Sequence, residues 1–130
     1  VAPELENEAR YYRAKSLVKV NQMAHAVADW QSLAQDTRNA YGAEAKYLLA
    51  QYLFDAGKTA EAEKEVLNYL EVSTPHAYWL ARSFVLLSDI YAKLDRKLEA
   101  RQYLLSLKQN YQADDDIAGM IESRLEKLNE

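Results

Sequence analysis

The sequence contains no cysteine, and only three glycines and two prolines among its 130 residues. Without cysteine, the chain can form neither disulfide bonds nor thiolate metal sites. Because glycines and prolines are few, the chain has few places for a sharp change of direction. Long helices joined by short connections are therefore expected. Long period-2 runs of valine, isoleucine and threonine are also missing, so no β-strand is predicted.

A strong excess of one charge is missing as well. The chain has 16 Lys and Arg residues against 20 Asp and Glu residues, a net charge of −4, and its basic residues form no dense cluster. A nucleic-acid partner normally requires a basic face, so neither DNA nor RNA is expected as a partner. No apolar run approaches the ~20 residues that a membrane-spanning helix needs, so membrane insertion is not expected.

Helix-forming and apolar residues are abundant. Hydrophobic residues make up 49% of the chain, enough for the packed core of one domain. Apolar residues recur at intervals of three and four, which predicts amphipathic helices. The predicted helices cover residues 3–20, 22–35, 41–56, 59–72, 75–94, 98–110 and 115–129.

Several residues are predicted to begin, end or orient these helices. Leu17 and Val20 mark the buried side of the first helix, and Gly57 ends the third in the left-handed region. The run Ser73-Thr74-Pro75 predicts capping hydroxyls followed by proline in the first helical turn. The acidic run 114–116 predicts a cap for the last helix.

An alanine recurs at the same point of the helical pattern in three places. Ala26, Ala62 and Ala100 each follow a polar residue, and they are separated by 36 and 38 residues. A period of this size is typical of arrays of helix pairs, in which each pair buries its apolar face against the next. The pattern therefore favours a binding function over catalysis.

The repeating unit resembles the tetratricopeptide repeat, a helix–turn–helix unit of about 34 residues. In that family a small residue on the first helix, a turn glycine and an alanine on the second helix allow close crossing of the helices. The first unit supplies Ala14, Leu17, Ala26, Trp30 and Leu33; the second Leu49, Ala50, Leu53, Gly57, Ala62, Val66 and Tyr69; and the third Phe84, Leu87, Ser88, Tyr91, Ala100, Leu104 and Leu107.

The chain also departs from the family pattern. Arg13 stands where the family has leucine, and Asn21 and Asp95 stand in place of the turn glycine. The resemblance implies an all-α fold, an α-α superhelix with repeats over residues 7–38, 43–75 and 81–112 and a capping helix over 115–129. The whole of 1–130 is then expected to be a single domain, the C-terminal part of a longer protein.

The resemblance implies a protein or peptide partner held in a concave groove lined by the first helix of each pair. The alternative is a structural spacer or self-association module, which would form homo-oligomers. Tyrosine-rich repeats of this style are similar to bacterial cell-envelope proteins, which implies a periplasmic scaffold. By the family pattern, the groove residues are Tyr11, Lys15, Val18, Lys19, Tyr47, Gln51, Phe54, Asp55, Arg82, Val85, Asp89 and Lys93.

No motif for chemistry is found in the sequence. His25 and His76 lie in different repeats without a third ligand at helical spacing, so no metal site is expected. The acidic run 114–116 lacks the alternating spacing of a calcium loop. Because phosphate-binding glycine loops and nucleophile motifs are missing too, no cofactor and no enzymatic activity are expected.

The two tryptophans have different expected roles. Trp30 falls on a core position of the second helix, where packing is expected. Trp79 is either a packing plug between repeats or an exposed anchor, and the plug is favoured because aromatic residues at helical spacing usually belong to the core.

Overall fold

A computed structural model describes residues 3–72 and 74–130, and it is all-helical over these ranges. Residues 1, 2 and 73 lie outside them, and with them the predicted capping hydroxyl of Ser73. The predicted all-α class is confirmed, and each helix begins and ends within two residues of its predicted bounds. The helices are α1 (Pro3–Lys19), α2 (Met23–Leu33), α3 (Ala40–Asp55), α4 (Thr59–Glu71), α5 (Ala77–Lys93), α6 (Lys97–Asn110) and α7 (Ile117–Leu128).

The first six helices form three pairs whose turns have the same geometry. α1 packs on α2, α3 on α4 and α5 on α6, and each turn has a residue at positive φ, namely 60° at Asn21, 82° at Gly57 and 60° at Asp95. In each turn the following N–H donates to the carbonyl five residues earlier, over 2.8 Å. This is a Schellman motif. Asn and Asp replace glycine here because they tolerate the left-handed region.

Small residues lie where the two helices of each pair cross. Ala26, Ala62 and Ala100 on the second helices have no exposed surface. Their counterparts on the first helices, Ala14, Ala50 and Ser88, are also buried. A side chain of one carbon or little more lets the helix backbones approach closely, which is the packing that the recurring alanine predicted.

Each pair stacks on the next through both of its helices, which contact the first helix of the following pair or α7. α1 contacts α3, α3 contacts α5 and α5 contacts α7. The rings of Tyr11 and Tyr41 are 4.5 Å apart at the first junction, and those of Tyr47 and Trp79 are 5.7 Å apart at the second. Ile117 follows Trp79 by 38 residues and packs in one cluster with Val85. α7 thus occupies the place of a first helix in a fourth unit.

The start of α5 differs from the prediction. The helix begins at Ala77, so Pro75 is not in its first turn. The Thr74 hydroxyl instead donates to the Thr37 carbonyl (2.7 Å) and accepts from the His76 N–H (3.1 Å). Because this hydroxyl ties the α4–α5 connection to the α2–α3 connection, the chain enters α5 two residues late.

Two further predictions concern helix ends. Val20 was predicted on the buried side of the first helix, and this is wrong. It lies in the turn that joins α1 to α2, and it is 62% exposed. The capping role of the acidic run is found at Asp115, whose carboxylate accepts from the Ile117 N–H over 2.9 Å.

Candidate functional site

The four predicted groove residues of the first repeat line one concavity. It measures about 340 Å³ and is lined by Tyr11, Lys15, Val18, Lys19, Trp30, Glu44 and Leu48. A second concavity of about 360 Å³, bounded by α2 and α3, shares Trp30 and Leu48 with the first, and also includes Gln51 and Asp55. Together these two concavities are called the α1–α3 groove.

The groove is open because α1 and α3 touch over a short stretch only. Their contact centres on Tyr11, which packs against the Tyr41 ring and donates a hydrogen bond from its hydroxyl to Glu44 Oε1 over 2.9 Å. Beyond this contact, toward Lys19, the space between the helices is free above Trp30 and Leu48. These two apolar side chains form the floor of the groove.

The two walls of the groove carry opposite charges. Lys15 and Lys19 lie on the α1 wall, and Glu44 and Asp55 lie on the α3 wall. The Lys15 ammonium is 4.6 Å from the centre of the Tyr11 ring, and the interaction with Tyr11 raises the pKa of Lys15. Burial is the main cause that raises the pKa of Tyr11, which keeps its hydroxyl protonated as the donor to Glu44.

The corresponding space between α3 and α5 is filled. Arg82 and Trp79 are the counterparts of Glu44 and Tyr41, 38 residues further along the chain. The Arg82 guanidinium lies 4.8 Å from the centre of the Tyr47 ring and donates to the Tyr47 hydroxyl over 2.9 Å. Tyr47 is only 5% exposed, so it is a packing residue here, and Trp79 fills the junction as the predicted plug.

Four more of the predicted residues lie along the α3–α5 surface. Gln51 accepts from the Tyr47 hydroxyl over 2.9 Å and donates to Asp55 Oδ1 over 2.8 Å. The Lys93 ammonium lies 5.6 Å from the centre of the Phe54 ring. These side chains therefore interact with one another, and Gln51 and Asp55 connect this surface to the α1–α3 groove.

The two remaining residues of the third repeat are covered by α7. Val85 is 3% exposed and packs with Leu104, Ile117 and Ile121, so its prediction as a groove residue is wrong. Asp89 accepts two hydrogen bonds from the Arg124 guanidinium, at 2.9 and 3.1 Å. Both residues follow the repeat pattern, but α7 occupies the face of α5 that a partner would need.

Three lining residues of the first concavity, Trp30, Leu48 and Glu44, were not predicted from the sequence as groove residues. Trp30 was predicted to be a core residue, and its low exposure confirms this, yet its remaining surface forms the groove floor. Its counterparts at the next two units are the smaller Val66 and Leu104. This larger side chain at the first unit is the sequence feature that distinguishes the first junction from the others.

A larger concavity of about 460 Å³ lies on another face of α3, between α2 and α4. Lys46 lies in it, and its ammonium contacts Glu65 Oε1 and Asn68 Oδ1, both at 2.7 Å. Since these polar groups neutralise one another, the concavity offers little charge for recognition.

Neither a cluster of metal ligands nor a membrane-spanning helix occurs in the described ranges. No group of three His, Cys, Asp or Glu residues within them is arranged to hold a metal ion. The His76 ring nitrogen Nε2 lies 2.9 Å from the Arg38 carbonyl oxygen. None of the helices in residues 3–72 and 74–130 combines the length and the hydropathy required to cross a bilayer.

No protein-family model, no curated protein and no solved structure matches this chain.

Proposed function

We propose that this chain is a protein-interaction module of the tetratricopeptide type, which holds a segment of a partner protein in the α1–α3 groove. The observation that carries the proposal is the groove itself, an apolar floor of Trp30 and Leu48 between walls of opposite charge. A concave site with an apolar base and a few placed polar groups is the usual form of a recognition site. The recurring turns and buried alanines support the superhelical assignment.

The groove chemistry defines the kind of segment it would hold. An apolar side chain of the partner would cover Trp30 and Leu48, because burial of apolar surface supplies most of the binding free energy. Acidic groups would face Lys15 and Lys19, and basic groups would face Glu44 and Asp55, because complementary charges fix the orientation. The partner segment is therefore amphipathic, with its two charge signs on opposite sides.

Selection from a library of short random peptides tests this proposal. Peptides retained by the immobilised chain are expected to combine an apolar residue with acidic residues on one side and basic residues on the other. Their binding is measured by tryptophan fluorescence in the variant Trp79→Phe, which leaves Trp30 in the groove floor as the single tryptophan. Saturable change of the Trp30 emission is the expected result.

Charge reversal inside the groove tests the role of its lysines, and the same reversal outside the groove is the matched control. The double variant Lys15→Glu/Lys19→Glu is expected to weaken peptide binding by about tenfold, because two attractive rim interactions become repulsive. The double variant Lys58→Glu/Lys64→Glu makes the same change in net charge at exposed residues outside the groove, and should bind normally. Equal binding by both double variants would refute the groove assignment.

Sedimentation of the unmodified chain, together with peptide binding, distinguishes the proposed peptide binding from self-association. If no peptide depends on Lys15 and Lys19, and the chain sediments as a dimer, a self-association module is the better description. A monomer that binds selected peptides through these lysines supports the proposal.

A further inference from the structure

The outer side of α1 carries an apolar stripe that no other residue in the ranges 3–72 and 74–130 covers. Leu5, Ala9 and Tyr12 follow at intervals of four and three residues, so they lie on one face of the helix. Leu5 is 60% exposed and Tyr12 is 54% exposed. Ser16, also exposed, continues the line, and these four residues are called the α1 stripe.

The α1 stripe has counterparts on α3, α5 and α7 at the spacing of the repeat. In each of those helices the corresponding stripe packs against the preceding helix pair. Ala45, Ser83 and Ile121, the counterparts of Ala9, are almost completely buried. The counterparts in full are Tyr41, Ala45, Leu48 and Tyr52 on α3; Trp79, Ser83, Leu86 and Ile90 on α5; and Ile117, Ile121, Arg124 and Leu128 on α7.

We infer that the α1 stripe docks a further helix pair of the same kind, placed before α1 and stacked as the other pairs are. Three successive junctions use the same face of a first helix, and on α1 no residue of the described ranges occupies that face. Exposed apolar side chains at positions whose counterparts on α3, α5 and α7 are buried or partly buried indicate an interface. This surface is separate from the α1–α3 groove and does not depend on its function.

The other junctions show what the docked pair would present. At the first junction a tyrosine ring packs on Tyr41 and its hydroxyl bonds Glu44, and at the second a tyrosine packs on Trp79 and bonds Arg82. The counterparts on α1 are Leu5 and Glu8. The docked pair is thus expected to place an aromatic ring over Leu5, with a polar group facing Glu8.

Arg13 adds a constraint on the docked pair. Its counterparts Leu49 and Leu87 are buried at their junctions, whereas the Arg13 side chain is 64% exposed and forms an ion pair with Asp29. A helix that covers this position must leave the guanidinium its carboxylate or offer it polar groups, because burying an unpaired charge is costly. The docked pair is therefore expected either to leave the ion pair between Arg13 and Asp29 in place or to present polar groups to it.

A chain lengthened with its own sequence tests this inference. Residues 39–76 are repeated directly before Pro3, so that the connection between α4 and α5 now leads into α1. The register is preserved because Ala77, which follows residue 76, is the counterpart of Pro3. If the stripe docks the added pair, the melting temperature should rise by about 5 °C or more in one cooperative transition.

Substitutions in the stripe supply the control. Leu5→Glu/Tyr12→Glu should change the melting temperature of the 130-residue chain little, because both side chains are exposed, but should abolish the gain in the lengthened chain. Leu98→Glu/Leu105→Glu alters two exposed leucines of α6 and should preserve the gain. No gain, or a gain that survives Leu5→Glu/Tyr12→Glu, would overturn the inference. A dimer of the 130-residue chain that Tyr12→Glu dissociates would also overturn it, since a second copy would then occupy the stripe.

Discussion

At the scale of single residues, the three glycines have three different environments. Gly57 has φ of 82° and ends α3 in the left-handed region, where other residues are strained. Gly42 lies where the α2–α3 connection returns to α3, and a Cβ there would be 1.9 Å from the Asp36 carbonyl oxygen and 2.6 Å from that of Leu33. Around Gly119 a Cβ would meet nothing within 4 Å.

These environments predict opposite effects of adding one methyl group. Gly42→Ala should lower the free energy of unfolding by at least about 2 kcal/mol, because two backbone carbonyls would have to move. Gly119→Ala should leave it unchanged or raise it by up to about 1 kcal/mol, since alanine favours the helix and restricts the unfolded chain. Urea unfolding followed by circular dichroism measures both. Equal stabilities for the two variants would contradict this account of Gly42.

The sequence allowed the role of Gly57 to be predicted, but not that of Gly42. A glycine that follows a helical pattern indicates a local turn, and the turn is decided by neighbouring residues. The need for glycine at position 42 depends on two carbonyls of another segment, which periodicity does not position. Tyr47 and Val85 were misplaced for the same reason: the repeat pattern identified their helix face, but Arg82 and α7 cover it.

At the scale of helices, prediction from the sequence was most successful because the relevant interactions are local. Apolar spacing and turn residues located all seven helices that the described residues form. The exception at the start of α5 arises from Thr74, which bonds a carbonyl 37 residues away. Likewise, the α1–α3 groove depends on how far two helices diverge, which the apolar pattern of either helix does not specify.

The buried alanine of each second helix gives the test of helix packing. Ala62 has no exposed surface, and Ala62→Leu would force three extra carbons between α3 and α4. This should lower the free energy of unfolding by about 1–3 kcal/mol and broaden the transition. Ala60→Leu, on the exposed side of the same helix, should be neutral within about 0.5 kcal/mol. Thermal melting of both variants distinguishes them, and a wild-type melt for Ala62→Leu would exclude close crossing at this point.

At the scale of the whole molecule, the two ends of the array differ. At one end α7 covers Val85, Leu104 and Leu107, and Arg124 pairs with Asp89 on α5. At the other end the α1 stripe is exposed and the α1–α3 groove is open. Because each helix pair contacts only its neighbours, a disturbance at one end should decay along the array. The surfaces proposed for binding therefore lie at the opposite end of the array from the α7 junction.

Loosening α7 should test this separation of the two ends. Ile121 is 2% exposed between α5 and α6, so Ile121→Asp would place an unpaired carboxylate in that cluster and detach α7. Hydrogen exchange of the folded variant should accelerate in α7 and α6, and in α5 next to Val85, while α1, α2 and the start of α3 remain protected. Ser123→Asp, on the exposed side of α7, should preserve protection throughout.

Peptides selected on the wild-type chain should still bind Ile121→Asp, because the groove lies two junctions away. If protection were instead lost evenly from α1 to α7, the molecule would unfold as one cooperative unit, and the stepwise coupling between neighbouring pairs would be wrong.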